Sequence, residues 1–229
     1  MREISLRWTR HLVNTRITPN QLTYLMVVAG VLAGAALLVP GLTGALLGAL
    51  LIQLYLLLDC VDGEVARWRQ QTSITGVYLD RVGHYLAEAA LLVGFGIRAA
   101  DIFHQEGAST QWMWAFLGTV AALGAILIKA ETDLVDVARS RSGLPAVQDE
   151  AAAPRSPGLA VARKAAAALK FHRLVGGVEA SLFILAVAVA DTMRGGLFFT
   201  RLGVVVLAAI AVLQTLLHLV SILASSRLR

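Results

Sequence analysis

Three aspartates and one histidine stand at helical spacings in the stretch DCVDGEVARWRQQTSITGVYLDRVGH, residues 59–84. Asp59, Asp62, Gly63, Ala66 and Arg67 fall at i, i+3, i+4, i+7 and i+8, which puts them on one face of a helix. Gly76, Asp80 and His84 follow at successive i+4 steps on one face of a second helix. A turn near Gln70–Thr75 lets the two helices lie antiparallel, with both faces meeting in one site. Three carboxylates in such a space repel and are driven to protonate unless a cation neutralises them. An oxygen-rich set of this kind suits a hard divalent ion, Mg²⁺ or Mn²⁺, of the sort that binds together with substrate phosphates. Gly63 and Ala66 leave room beside the acids for a flat or phosphorylated ligand, and Arg67 can neutralise a phosphate.

The competing reading is a buried salt-bridge network in which Asp59, Asp62 and Asp80 pair with Arg67, Arg69 and Arg81 to fasten two helices. Such a network is a poor fastener in an apolar setting. It also gives no reason for Gly and Ala to stand beside the acids. The one cysteine, Cys60, excludes an intramolecular disulfide and points about 100° away from Asp59 on a helix, as a small packing residue would.

The elements around this stretch are strongly apolar. Of 229 residues, 57% are hydrophobic, with a mean hydropathy of +0.70, and the excess lies in long blocks as in a membrane protein. The reading is an all-α integral membrane fold with six transmembrane helices, as one domain over residues 1–229. Residues 1–18 alternate Arg2, Arg7, Arg10 and Arg16 with Ile4, Leu6, Trp8 and Leu12, which predicts an amphipathic surface helix rather than a signal peptide. Thr18 reads as an N-cap, with Pro19 at the first helical position. Spans are expected over about 22–39, 42 into the carboxylate stretch, 76–97, 112–128 with helical continuation past Lys129, Glu131 and Asp133, 174–190, and 202–223. Residues 98–111 read as a polar loop and residues 139–170 as a cytoplasmic loop.

The net charge of +5 would suggest nucleic acid in a soluble protein. Here the bases collect at the ends of apolar blocks, so lipid headgroups account for them and no nucleic-acid partner is expected. Bases crowd the N-terminus, Arg67 and Arg69, the 139–173 region and the C-terminus, against Arg98, Arg194 and Arg201 on the other side. This bias puts both termini in the cytoplasm and opens the charged cavity to the cytosol. A transporter is disfavoured, because the distal halves of the spans carry almost no polar residues and no inverted repeat is apparent. The pairs Gly30/Gly34 and Gly44/Gly48 permit close helix packing within the protomer or in a homodimer.

The pattern D-x-x-D-G-x-x-A-R, eight residues, G-x-x-x-D-x-x-x-D resembles the signature of the CDP-alcohol phosphotransferases, matched here by Asp59, Asp62, Gly63, Ala66, Arg67, Gly76 and Asp80. The resemblance implies a membrane enzyme that moves a phosphoalcohol group from a CDP-linked donor to an alcohol acceptor and releases CMP. It implies that Asp59, Asp62 and Asp80 hold a pair of divalent metal ions on the donor diphosphate. Asp62, Gly63, Ala66, Arg67 and Gly76 would bind the nucleotide. The last position of the pattern is a carboxylate, cast as the base for the acceptor hydroxyl, and here it is His84. Imidazole can serve as a general base or as a metal ligand, so the expectation is a substituted but working base. A degenerate site in a nucleotide-binding scaffold is the alternative.

Lys129 and Arg173 suit a phosphorylated acceptor such as inositol phosphate or glycerol phosphate, and Glu179 is expected about five residues into an apolar span, facing the same cavity. The donor is either CDP-diacylglycerol, for phospholipid synthesis, or a CDP-polyol.

Overall fold

The computed structural model describes residues 2–102, 109–145, 176–225 and 227–228. Among these residues the chain is helical throughout, with no strand: α1 (Arg2–Leu12), α2 (Pro19–Ala36), α3 (Gly41–Trp68), α4 (Ile74–Ala100), α5 (Ser109–Arg141), α6 (Gly177–Arg194) and α7 (Phe198–Ala224).

Local chemistry sets the helix ends. Thr18 caps α2 in a full capping box: its side chain accepts from the Gln21 amide, and the Gln21 side chain accepts from the Thr18 amide. Pro19 stands in the first turn, as the sequence predicts. The turn into α3 passes through Gly41 at φ +72°, a conformation that glycine adopts without a Cβ penalty. Ser73 caps α4, its Oγ accepting from the Gly76 amide at 3.0 Å. Asp191 closes the short α6–α7 connection by accepting from the amides of Phe199 (2.7 Å) and Thr200 (2.8 Å).

α4 is the hub, packed on α2, α5, α6 and α7. Its close crossings rest on residues without bulk. A Cβ on Gly34 would run into the Ala90 backbone, and one on Gly96 would meet Gly118 of α5. Gly30 lies against Ala87 of α4, Gly44 against the Val39 carbonyl, and Gly48 against Leu37. Both small-residue pairs of the sequence are therefore used inside the chain. The larger apolar core gathers Ile52, Leu91, Leu92, Phe95, Ile184 and Leu207, and a smaller one joins Leu22, Met26, Tyr55, Val61 and Val65 beneath the carboxylate stretch.

Among the described residues, four helices are long and apolar enough to cross a membrane: Pro19–Ala36, Gly41–Trp68, Gln111–Arg141 and Phe198–Ala224. Their outward faces leave Leu25, Val28, Leu32, Leu46, Leu50, Leu213 and Leu217 exposed, as lipid-facing surface requires. α1 lies against α3, with Ser5 Oγ and Thr9 Oγ1 donating to Glu64 at 2.9 and 2.6 Å. Ile4 and Trp8, one turn apart on α1, remain exposed on one face, as an apolar strip of the predicted surface helix would be. Arg69 fixes the α1–α2 connection by donating to the carbonyls of Leu12, Val13, Thr15 and Ile17.

Three boundaries differ from expectation. α4 runs on through Ala100 and α5 begins at Ser109, so the predicted 98–111 loop is shorter at both ends. α5 continues to Arg141, so residues 139–141 of the predicted loop are helical. The tertiary reason is Arg139, buried and donating to the carbonyls of Pro145 and Arg227. Glu179 falls in the first turn of α6, where the helix dipole favours a carboxylate, rather than well inside a span. Residues 146–170 of the loop lie outside the described residues, as does Arg173.

Candidate active site

α3 presents Asp59, Asp62, Gly63, Ala66 and Arg67, and α4 presents Gly76 and Asp80, to a shared open cleft of about 280 Å³. The N-terminal turn of α2 supplies a third wall with Asn20 and Thr23, which the sequence reading missed. Gly63 keeps the α3 wall open: a methyl there would lie 3.1 Å from Nη1 of Arg67, whose guanidinium folds back over the glycine. A methyl on Gly76 would lie 3.2 Å from both Asn20 Oδ1 and Ser73 Oγ. The cleft is thus bounded by a guanidinium, the capped N-terminus of α4 and two carboxylate-bearing faces. N–H groups at a helix start and a guanidinium are both suited to phosphate oxygens.

His84 lies one turn beyond Asp80 on α4. Its Nε2 is 3.3 Å from Asp59 Oδ1 and 3.5 Å from Asp80 Oδ1. Its Nδ1 is hydrogen-bonded to the hydroxyl of Tyr55, a buried residue of α3 whose ring meets the imidazole edge-on. One donor atom from each of Asp59, Asp80 and His84 falls within 4.8 Å of the other two. Two carboxylate oxygens and one imidazole nitrogen converging in this way fit a divalent cation. Asp62 is not part of that set. It is buried, and its Oδ2 accepts from Thr23 Oγ1 at 2.6 Å. Tyr55 could have been found in the sequence, since it precedes Asp59 by one i+4 step. Thr23 could not, because no spacing rule connects positions 39 residues apart.

A second polar group lies on the side of α4 that faces α5. Arg81 Nη1 donates to Asp133 Oδ1 at 2.9 Å, and the Tyr85 hydroxyl donates to Asp133 Oδ2. Farther along, Lys129 Nζ donates to Glu88 Oε1 at 2.9 Å, and the Gly177 amide donates to the same oxygen at 3.3 Å. Lys129 is therefore held at the junction of α4, α5 and the N-terminus of α6, where Glu179 also stands. It does not line the carboxylate cleft. A larger cavity, about 340 Å³, opens at the other end of α4 beside Leu37, Pro40, Ile97 and Arg98. Its guanidinium is engaged by the carbonyls of Val39 and Gly41, and it lacks a convergent carboxylate set, so size does not mark it as the reactive site.

The sequence pattern of the CDP-alcohol phosphatidyltransferases matches residues 16–146, more than half of the chain and the whole of the carboxylate cleft. The chain belongs to the CDP-alcohol phosphatidyltransferase family. Over 132 residues it is 28% identical to a bifunctional IPC transferase and DIPP synthase of Thermococcus kodakarensis, covering 58% of this chain and 27% of that protein. The protein of the same name from Aquifex aeolicus is 32% identical over 132 residues, 58% of this chain and 28% of the relative. The match thus spans little more than a quarter of the length of these two relatives. A phosphatidylinositol phosphate synthase of Streptomyces avermitilis is 34% identical over 87 residues, 38% of this chain and 34% of that protein. The solved structure of the Mycobacterium tuberculosis phosphatidylinositol phosphate synthase in its apo form shares the fold, with a TM-score of 0.59, 96% of each chain covered and 17% identity. With this family membership and four helices able to span a bilayer, the chain is an integral membrane protein.

Proposed function

We propose that this CDP-alcohol phosphatidyltransferase family member transfers a phosphoalcohol group from a CDP-linked donor to the hydroxyl of an alcohol acceptor and releases CMP. The observation that carries the proposal is the convergence of Asp59, Asp80 and His84 at the end of a cleft walled by Gly63, Arg67 and Gly76. In this reading one domain crosses the bilayer six times, with α4 and α6 added to the four apolar spans. Both termini and the cleft face the cytoplasm, supported by the basic residues at that end. The protein acts as a homodimer.

Asp59, Asp62, Asp80 and His84 are the residues that would hold divalent metal, Mg²⁺ or Mn²⁺, as one or two ions. When bound, such an ion supplies charge neutralisation at the phosphoryl oxygens and at the leaving group. The remaining roles belong to the chain. Arg67 and the Ser73-capped start of α4 hold the donor phosphates. Asp62, fixed by Thr23, with Gly63, Ala66 and Gly76, accommodates the nucleotide against the α3 and α4 backbones. The acceptor hydroxyl enters beside Asp80 and His84, attacks the distal phosphorus of the donor in line, and passes its proton to that pair. The bond that breaks joins this phosphorus to the CMP oxygen.

The donor is CDP-diacylglycerol. Val77 borders the cleft and is exposed, and Ile74 and Tyr78 are exposed beside it, an apolar rim suited to acyl chains. The two relatives named IPC transferase and DIPP synthase support a CDP-polyol donor as the second reading. The acceptor is a polyol phosphate of the inositol phosphate class, supported by the relative named for phosphatidylinositol phosphate. Lys129, held by Glu88, with Glu179 at the same junction and Arg173, would receive it.

The test is CMP release by the purified full chain in lipid nanodiscs, with CDP-diacylglycerol or CDP-polyols, a panel of alcohols and polyol phosphates, and Mg²⁺ or Mn²⁺. Release that needs donor, acceptor and cation together is expected. No release with any combination would remove the enzyme reading in favour of a nucleotide-binding scaffold.

A further inference from the structure

We propose that Tyr55 is a positioning residue whose hydroxyl sets the tautomer of His84, so that Nε2 offers its lone pair to a cation held by Asp59 and Asp80. The inference rests on the reaction proposed above and divides the labour of the Asp80–His84 pair. His84 acts as a nitrogen ligand, and a carboxylate oxygen of Asp80 takes the acceptor proton.

The geometry leads there in three steps. First, the two ring nitrogens of His84 have separate surroundings. Nε2 faces the oxygens of Asp59 and Asp80, whereas Nδ1 is bonded to the Tyr55 hydroxyl. Second, a neutral imidazole carries one proton, and the partner of one nitrogen decides what the other can do. An Nε2–H would donate to Asp59 and present no lone pair to a cation. A cation among these oxygens needs the proton on Nδ1, and Nδ1–H then needs an acceptor. Third, the Tyr55 ring is 4% exposed and packs edge-on against the imidazole, so a proton on Nδ1 without the hydroxyl would face an apolar ring edge with no acceptor supplied by that residue.

A hydroxyl is the right group for this position because it can rotate. It donates to Nδ1 when Nε2 carries the proton and accepts from Nδ1–H when Nε2 binds a cation. Phenylalanine keeps the ring but offers no acceptor, so it favours the tautomer that cannot bind a cation. A carboxylate at position 84, as in the family pattern, has no tautomer to set. The tyrosine should therefore matter only where the histidine is present.

The test uses Mn²⁺ as the probe on the full chain in nanodiscs, read by binding affinity and by pulsed electron paramagnetic resonance. The wild type is expected to show ¹⁴N coupling to bound Mn²⁺, and His84→Gln is expected to abolish it. Tyr55→Phe is expected to weaken Mn²⁺ binding by about 10–100-fold and to remove the nitrogen coupling at saturating Mn²⁺, the usual cost of losing a partner behind a metal-binding histidine. In a His84→Asp background the same substitution should change affinity within about twofold, as for independent sites. This double substitution keeps the test valid even if Tyr55→Phe loosens packing, because a packing defect would appear in both backgrounds. Unchanged nitrogen coupling in Tyr55→Phe, equal losses in the two backgrounds, or a wild-type spectrum without nitrogen coupling would each overturn the proposal. Cation-dependent CMP release by the same preparation would leave the reaction standing in any of those cases. Its absence would remove the reaction as well.

Discussion

Two faces of α4 carry polar side chains, and they are built differently. On the side that meets α5, charge is closed by charge: Arg81 is paired with Asp133, which also accepts from Tyr85. On the side that meets α3, Asp59 and Asp80 approach each other with an imidazole between them and, among the described residues, no lysine or arginine paired with either. The first arrangement is complete as it stands. The second concentrates carboxylates against a cleft, where their mutual repulsion favours either a bound cation or a shared proton. One helix thus carries both a closed ion pair and an open carboxylate cluster, and identical residue types differ according to whether their partners are supplied by the chain.

The comparison can be broken most sharply at Asp80. Asp80→Asn should lower CMP release by about 10²–10⁴-fold, the range for loss of a group that moves the reacting proton, with thermal unfolding of the detergent-solubilised protein little changed. Full activity in this variant would place the site elsewhere. Thr23→Val should cost about 10–100-fold in cation-dependent turnover, because Asp62 loses the hydroxyl that orients it. An unaffected rate would make Asp62 a structural acid. Lys129→Met should raise the acceptor KM by about 10–100-fold with a smaller effect on kcat, if a charged hydrogen bond to the acceptor is lost. A change confined to stability would return Lys129 and Glu88 to the fastening group. The smallest effect belongs to the closed face: Arg81 is more than half exposed, so Arg81→Ala should cost no more than about 1 kcal/mol in unfolding and leave turnover unchanged.

One side of this contrast was legible in the sequence, and the limit has a physical cause. The i, i+3, i+4 spacing of Asp59, Asp62 and Gly63 and the i+4 ladder Gly76, Asp80, His84 are properties of single helices, so the carboxylate faces followed from local geometry, whereas the pairing of Arg81 with Asp133, 52 residues away, did not. Thr18, Pro19 and the apolar blocks were readable for the same reason. What a side chain does once its face is set depends on neighbours from other helices. Lys129 gave no sign in the sequence of its partner Glu88, 41 residues away. Asp62 looked equivalent to Asp59 and instead accepts from Thr23. The end of α5 depends in part on Arg139 reaching Arg227, 88 residues away, which no window of periodicity contains. The assignment of the small-residue pairs to internal crossings needed the positions of Ala87, Ala90 and Leu37.

The central claim is that the α3-facing side of α4 is the cation and phosphate site of the enzyme. The most direct measurement is an anomalous-scattering map of crystals grown with Mn²⁺ and CDP-diacylglycerol. The account predicts manganese among Asp59, Asp80 and His84, with the diphosphate beside Arg67 and Gly63. Manganese at the Glu88–Lys129 junction, or a nucleotide outside the cleft, would contradict it.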